Sequence, residues 1–318
     1  MKVSAVVTAY NVSKWIKKCV KSVLDSKDVD LELVVVEDKS TDDTLSIIEG
    51  FADKRLKLIK NKENMGAGMS RRIGIQNSTG DYVITIDGDD FISDSFLHDL
   101  MQKAEETKAD IVSGGVSVMN DDGSFQITGY GEKDVTGPQK ITKFFGENIV
   151  FLNNKIVRRS LYDEVEYCGR RYIEDTQTVA PLLYLANKTV YTNNCGYFYY
   201  QRSSSLCHTA DNYKNILFRA LCALDLWNWF EDKEPIYQMY FGRHMFGKYM
   251  QMMDNLNPSS EDKKKYPNEW IEYEEGVKKF KETEPKKGEA PNSIESKLTN
   301  DETHKREDTA VDMGKQSL

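Results

Sequence analysis

Three carboxylates follow a strand-like segment in the N-terminal half of the chain, at Asp87, Asp89 and Asp90. The preceding residues 82–86, Tyr-Val-Ile-Thr-Ile, are apolar and β-branched, which predicts a buried strand. Clustered acids repel one another unless a cation lies among them, and Mg²⁺ is typically bound by one or two carboxylates together with phosphates. Open α/β sheets bind their ligands at the carboxyl ends of strands. The segment therefore predicts a metal and phosphate site, with a solvated Asp/Gly turn as the alternative.

The elements that must position these acids alternate between strand-like and helix-like segments. Apolar strands are predicted at residues 3–8, 31–36, 56–59 and 82–86, and helices follow them from about Ser13, Thr41, Ser70 and Ser93. This series predicts a mostly parallel sheet with helices on both faces. The later predicted segments are a strand at 111–119 that turns back through 120–123, a helix from Glu174, a strand-like stretch at 190–200, and helices at 213–230, 236–253 and around 270–280.

Composition restricts the class of protein. The chain has 318 residues with 43 Lys and Arg against 51 Asp and Glu, and its net charge of −8 argues against a general nucleic-acid binder, which needs a basic face. Five cysteines without a C-x-x-C pair are typical of reduced thiols in a cytoplasmic protein. No apolar run approaches the roughly 18 residues of a membrane-spanning helix. After Pro285 almost nothing apolar recurs, which predicts a disordered tail.

Several short motifs occur in a fixed order along the first two thirds of the chain. They are Thr8-Ala9-Tyr10-Asn11, Val36 to Asp42, Asn64-Met65-Gly66 with Ser70-Arg71-Arg72, Asp87-Gly88-Asp89, Asn154 to Arg159, Tyr172 to Asp175, and Tyr199 to Arg202. In this order and spacing they resemble the family 2 glycosyltransferases of the GT-A fold, over about residues 1–208. The chain departs from the family pattern at Ala9, where Pro is usual, at Lys39, where Gly is usual, and at Arg72, where Asn is common.

The resemblance implies an α/β fold of the GT-A type, Rossmann-like, with a mixed, mostly parallel sheet flanked by helices and a C-terminal helical extension. We expect a glycosyltransferase domain at residues 1–210, divided into a nucleotide-sugar-binding half at 1–115 and an acceptor-side half at 116–210. The helical extension is expected at 211–256, and a charged tail, partly helical and then disordered, at 257–318.

The resemblance also implies catalytic and metal-binding residues. Asp175 is expected to be the general base, with Glu174 beside it; alternatively both acids only open a helix, where a carboxylate is favourable by roughly 0.3–1 kcal/mol. Asp89 is expected to bind the metal directly, with Asp87 contacting the metal or the ribose. His208 is expected either as a further metal ligand or as a surface residue.

Further residues are expected around the nucleotide. Asp38 would accept a hydrogen bond from the base, and Arg71 would be a fixed cation near the nucleotide, with a surface ion pair as its alternative. Asp90 is expected either to orient the loop or to cap the next helix. The other nucleotide-sugar contacts are expected from Thr8, Ala9, Tyr10, Asn11, Asp87, Gly88 and Arg202.

Together these roles imply inverting, metal-dependent transfer of a sugar from a nucleotide-sugar, with UDP-sugar as the expected donor, to a hydroxyl of a glycan or glycoconjugate. The expected cofactor is Mn²⁺ or Mg²⁺. One alternative is a catalytically silent glycan-binding or scaffold protein on the same fold. Another is a sugar nucleotidyltransferase, which normally has a Gly-rich loop with Lys or Arg after its first strand. The aromatic and Met-rich helices at 213–253 are expected to pack inward. The alternatives are an acceptor platform, a contact with a second copy, or contact with a membrane surface.

Overall fold

The computed structural model describes residues 1–120, 124–128, 133–135, 151–165, 174–201, 212–233 and 235–283. Strands and helices alternate up to residue 87, as the sequence predicted, and pairs of short strands then flank the fourth helix. Their bounds are β1 (Lys2–Ala9), α1 (Ile16–Leu24), β2 (Asp30–Glu37), α2 (Thr44–Glu49), β3 (Leu56–Lys60), α3 (Ala67–Gln76), β4 (Tyr82–Asp87), β5 (Phe91–Ile92), α4 (Phe96–Thr107), β6 (Ile111–Ser113) and β7 (Val116–Asn120).

The later elements form the rest of the sheets and a helical C-terminal region. Their bounds are β8 (Phe125–Thr128), β9 (Lys133–Val135), β10 (Lys155–Arg158), a 3₁₀ helix (Arg159–Glu164), α5 (Glu174–Leu185), β11 (Thr189–Tyr191), β12 (Tyr197–Gln201), α6 (Asn212–Trp229), α7 (Pro235–Met239), a π-helix (Tyr240–Phe246), α8 (Gly247–Leu256), α9 (Ser260–Lys265) and α10 (Pro267–Glu282).

The main sheet has the strand order β3-β2-β1-β4-β10-β6-β11-β9. β1 pairs in parallel with β2 and β4, and β2 pairs in parallel with β3, whereas β10 is antiparallel to β4 and β6. The sheet is therefore mixed and mostly parallel, which confirms the predicted fold class. Because the chain runs outward from β1 to β3 and then returns to the other side of β1 at β4, a crevice opens between the carboxyl ends of β1 and β4.

A second sheet forms from segments for which the sequence predicted single strands. The strand expected at 111–119 is divided into β6 and β7, because the chain leaves the main sheet at Gly114, where a Cβ would lie 2.6 Å from Cε2 of Phe96. The stretch at 190–200 is likewise divided into β11 and β12. The second sheet has the order β5-β12-β7-β8, and antiparallel β7 and β8 form the predicted hairpin.

Each face of the main sheet covers an apolar core. Side chains alternate along β1, so Val3, Ala5 and Val7 face the core beneath α1 and α4, whereas Val6 faces a core that contains α3, α5 and α6. Helices on both faces are the arrangement that a parallel sheet requires.

The C-terminal helices pack into the core on the α5 side. Tyr184 of α5 meets the rings of Trp229 and Tyr237 edge-on, at centroid distances of 5.8 and 5.5 Å. Gly242 lets the π-helix approach Trp227, since a Cβ at this glycine would lie 2.5 Å from the indole ring. The aromatic spacing thus places these rings inward, as predicted. In the described part of the chain, no helix is long and apolar enough to cross a membrane.

Candidate active site

The carboxyl ends of β1, β2 and β4 meet at one edge of the main sheet. In the register of β1 and β4, Thr8 lies opposite Asp87. Two backbone hydrogen bonds continue the pairing beyond the strands: Asp38 N–H donates to Ala9 O at 2.9 Å, and Gly88 N–H donates to Thr8 O at 2.9 Å. The turn after β1, the loop after β2 and the acidic loop after β4 therefore form one surface.

A buried guanidinium joins two of the predicted site acids. Arg71 of α3 is 4% exposed; its Nη2 donates to Asp87 Oδ1 at 2.8 Å and its Nη1 donates to Asp175 Oδ1 at 2.7 Å. The side chains of Asp87 and Asp175 are 31% and 27% exposed. Both acids are therefore reachable from solvent, while the cation that joins them lies beneath the surface.

Opposing effects set the charge of the two acids. Burial raises the pKa of Asp87, but the charge and hydrogen bond of Arg71, helped by Asn153 and Thr8, outweigh burial and leave that pKa below its ordinary value. Burial also raises the pKa of Asp175; Arg71 opposes this effect and Asp87 adds to it, so the pKa stays above its ordinary value. Asp175 therefore takes up a proton more readily than Asp87, and a raised pKa is a property that suits a carboxylate to general base catalysis.

The segment at residues 151–155 supports both acids from the side of β10. Asn153 is buried; its Nδ2 donates to Asp87 Oδ2 at 2.7 Å and its Oδ1 accepts from Thr85 Oγ1 at 3.2 Å. The backbone N–H of Leu152 donates to the Asp175 carboxylate and lowers its pKa. Lys155, which is 1% exposed, lies at the start of β10 beside the same acid.

Sequence reasoning missed the roles of Asn153 and Lys155. The motif beginning at Asn154 was recognised without a role for its members. Two amides and a lysine directly before the apolar pair Ile156-Val157 were the available signal, because polar groups at the start of a buried strand need partners.

The sequence left two roles open for Asp90, and its contacts favour the first, orientation of the acidic loop after β4. Asp90 is 1% exposed; it accepts hydrogen bonds from the Tyr197 hydroxyl at 2.5 Å and from the Tyr200 N–H at 2.9 Å, both on β12. Burial, followed by the charges of Asp87 and Asp89, raises the pKa of Asp90 well above its ordinary value. Asp90 thus fixes the acidic loop to the second sheet.

Gly88 and Asp89 occupy the tip of that loop. A Cβ at Gly88 would lie 2.8 Å from the Thr8 carbonyl oxygen and 3.0 Å from Val12 Cγ2, so only glycine fits there without movement of the backbone. Asp89 is half-buried. Its predicted metal-binding role stays a prediction.

Asp38 is buried where the loop after β3 approaches β2. Its Oδ1 accepts from Asn61 Nδ2 and Met65 N–H, both at 2.8 Å, and its Oδ2 accepts from Gly66 N–H at 2.8 Å. A carboxylate can accept about four hydrogen bonds. Asp38 therefore keeps capacity for one more donor, such as the N–H of a nucleotide base.

In the loop after β2, Lys39 has a left-handed backbone conformation, which glycine adopts more easily than lysine. Lys39 has φ of 63°, and Asn11 in the facing turn has φ of 52°. Asn11 Oδ1 accepts from Thr41 N–H at 2.8 Å, which ties the two turns together. Tyr10, beside this contact, is 45% exposed and available to a ligand.

Some predicted site residues cannot be placed. Arg202 and His208 lie outside the described residues, and Glu174 begins α5 with only its backbone described. Among the residues that the structure describes, no three His, Cys, Asp or Glu side chains form a group that could hold a metal ion on their own.

The mixed α/β sheet, with Asp38 and Asp87 at the carboxyl ends of β2 and β4, has the GT-A fold of the glycosyltransferases. The solved structure of Staphylococcus aureus TarS residues 1–349 in complex with UDP-GlcNAc has this fold. It matches with a TM-score of 0.67 at 23% identity, over 90% of this chain and 82% of that one.

The sequence comparison then defines the family. The model of Glycosyl transferase family 2 matches residues 4–166, about half of the chain, and the protein therefore belongs to glycosyltransferase family 2. Glycosyltransferase GlyG of Streptococcus pneumoniae is 28% identical over 220 residues, which cover 65% of this chain and 73% of GlyG. Glycosyltransferase GlyA of the same organism is 27% identical, over 64% of this chain but only 31% of its own length.

Proposed function

We propose that the protein transfers a sugar from a UDP-sugar to a hydroxyl of a glycan or glycoconjugate, by an inverting displacement that depends on a divalent cation. The observation that supports this proposal most strongly is the Asp87–Arg71–Asp175 triad. It brings Asp87, the acid expected to contact the metal or the ribose of the donor, and Asp175, the acid expected to be the base, into one solvent-accessible crevice. The UDP-GlcNAc bound to TarS supports a UDP-sugar as the donor.

Asp175 acts as the general base in this proposal. Its carboxylate takes the proton of the acceptor hydroxyl while the hydroxyl oxygen attacks the anomeric carbon from the face opposite the diphosphate. The bond from that carbon to the diphosphate oxygen breaks, and UDP leaves with the electron pair. A single displacement of this kind inverts the configuration at the anomeric carbon.

The residues at the acidic loop fit a divalent cation that is completed by the substrate. Asp87 has accepted hydrogen bonds from Arg71 and Asn153, and Asp90 is committed to β12. Asp89, half-buried at the tip of the loop, is proposed as the direct ligand, with Asp87 as the second. One or two carboxylates plus phosphate oxygens are a typical environment for Mg²⁺. When bound, the cation would neutralise charge on the departing diphosphate.

Nucleotide binding is assigned to the turns that flank this loop. Asp38, with its remaining acceptor capacity, would receive the base N–H, while Tyr10 and the backbone from Thr8 to Asn11 would flank the base. Gly88 would allow the donor to approach the loop closely. Roles for Arg202, His208 and Glu174 remain part of the proposal.

The division of the chain is also proposed from these assignments. The donor residues Thr8 to Gly88 fall within 1–115, and Asp175 falls within 116–210, the half expected to face the acceptor. The helices of 211–256 would hold α5 in place, since Gln177 of α5 hydrogen-bonds to Asp225 of α6. A cytoplasmic site of action fits the reduced thiols of Cys19, Cys195 and Cys222.

A nucleotide-release assay tests the function. UDP-glucose, UDP-galactose and UDP-GlcNAc are each supplied with Mn²⁺ or Mg²⁺ and then with EDTA, with and without added glycans. We expect metal-dependent UDP release from at least one donor. If no donor is consumed and neither metal strengthens UDP binding, the proposed activity is wrong.

The variant Asp175→Asn tests the base. It should bind UDP as the wild type does but lose transfer by about 10²- to 10⁴-fold, the usual contribution of general base catalysis. Asp232→Asn is the control, because Asp232 is 86% exposed and lies on the turn after α6. Weak UDP binding by Asp175→Asn would instead place Asp175 in the donor site.

A further inference from the structure

Lys155 occupies a position on β10 that the fold otherwise reserves for apolar side chains. Side chains on a strand alternate between the two faces. Ile156 belongs to the core beneath α1 and α4, whereas Val157 belongs to the core that contains α5. Lys155 has the same parity as Val157 and therefore points to the α5 side of the sheet, where it is 1% exposed.

The Lys155 ammonium hydrogen-bonds to neutral groups of its own segment. Nζ donates to Asn154 Oδ1 at 2.7 Å and to the carbonyl oxygen of Phe151. A buried ammonium costs several kcal/mol unless an opposite charge compensates it. The charge that does so is Asp175, the acid at the N-terminal end of α5, while burial lowers the pKa of Lys155 to about 7.

The charges around Asp175 show why a second cation matters there. Arg71 of α3 is shared between Asp87 of β4 and Asp175, so one positive charge faces two carboxylates. Lys155 of β10 is a second positive charge acting on Asp175, and the Leu152 N–H adds a hydrogen bond. With Lys155 protonated, these two cations balance the two carboxylates.

We propose that Lys155 is a positioning residue for the transfer reaction: its buried ammonium holds Asp175 as a carboxylate facing the crevice and closes the 151–155 segment beneath it. The inference rests on the proposed role of Asp175 as the base. The contact with Phe151 O makes the segment a closed turn, from which Leu152 reaches Asp175 and Asn153 reaches Asp87.

Lys155→Met tests the charge, because methionine retains an unbranched apolar stem. Steady-state UDP release is measured from pH 5 to 9 for the wild type, Lys155→Met and Lys155→Arg. We expect Lys155→Met to lower kcat about 10- to 100-fold at neutral pH, within the range of general base catalysis, with little change in KM for the donor. The acidic limb of its profile should move to higher pH, and Lys155→Arg should restore part of kcat.

Two comparisons separate this role from a purely structural one. Lys57→Met is the matched control, since Lys57 lies exposed on β3 and bonds to Asn77, and its profile should equal that of the wild type. A Lys155→Met profile that superimposes on the wild-type profile, with unchanged kcat, would overturn the inference.

A stability cycle covers the case in which Lys155→Met folds poorly. Melting temperatures of the wild type, Lys155→Met, Asp175→Asn and the double variant are compared. Lys155→Met should lower the melting temperature less in the Asp175→Asn background than in the wild type, because the carboxylate that the Lys155 ammonium compensates is then absent. Additive losses of melting temperature would contradict the inference. If the wild type releases UDP from no donor, the proposed function fails. If Asp175→Asn transfers sugar normally, only the base role of Asp175 fails, and if only Lys155 shows no coupling, that role stands and this inference alone fails.

Discussion

Replacing Arg71 with methionine removes the cation that joins Asp87 to Asp175 while retaining much of the aliphatic stem. Arg71 is 4% exposed and makes charge-assisted hydrogen bonds of 2.8 and 2.7 Å to the two acids. Hydrogen bonds to charged groups contribute about 1.5–3 kcal/mol each, and breaking a buried ion pair costs about 3–5 kcal/mol. Because the two acids are 31% and 27% exposed and can gain water, we expect a loss near the lower limit, about 3 kcal/mol at pH 7.

The pH dependence of this loss has a definite sign. The pKa of Asp87 is lowered in the folded state, so its contribution to stability is present above its unfolded pKa and is lost as the pH falls through the folded value. Arg71→Met removes the main source of that lowering. Arg71 also holds down the pKa of Asp175, which burial raises. The difference between variant and wild type should therefore be largest at neutral pH. It should shrink as the pH falls through the raised pKa values of the two acids in the variant, and shrink further as the pH falls through the lowered pKa of Asp87 in the wild type.

Urea unfolding followed by circular dichroism at several pH values measures this difference. Arg72→Met is the control, because Arg72 is the next residue of α3, is half-buried and lies outside the triad; surface ion pairs contribute about 0–1 kcal/mol. Arg71→Met should also abolish UDP release, since both acids lose their fixed positions. A loss below 1 kcal/mol at pH 7, or one that grows in acid, would refute the role assigned to the guanidinium.

Two further substitutions address the loops that flank the crevice. Lys39→Gly should raise the free energy of unfolding by roughly 0.5–1 kcal/mol, because φ of 63° is strained for a residue with a Cβ. Thermal denaturation measures this change. Lys39→Ala is the control and should be nearly neutral, because alanine also has a Cβ. Gly88→Ala should destabilise by about 1–3 kcal/mol and abolish transfer, since its Cβ would meet the Thr8 carbonyl oxygen at 2.8 Å. Gly50→Ala is the control, because a Cβ at Gly50 would lie 3.3 Å from the Ile47 carbonyl oxygen and the residue has an ordinary φ. It should change the free energy of unfolding little. Equal losses at the two glycines would refute the steric argument.

The strands of the donor half could be predicted because their signals are local. Each is a short apolar run, and Asp38 and Asp87 follow two of them directly, so the rule for parallel sheets places them at one edge. The breaks at Gly114 and between β11 and β12 could not be predicted. An apolar run looks the same whether it stays in one sheet or crosses to another, and the close approach of Phe96 to Gly114 exists only in the folded chain.

The carboxylates themselves, their order along the chain and their relation to a glycosyltransferase pattern were determined by the sequence alone. Only the tertiary structure decided what each one does to its neighbours. Asp90 became a loop anchor because β12 places Tyr197 and Tyr200 against it. Asp175 acquired its two cations because α3 and β10 converge on the first turn of α5. The pKa of a carboxyl depends on burial and on charges within a few ångströms, and those distances exist only after residues far apart in the chain have packed together.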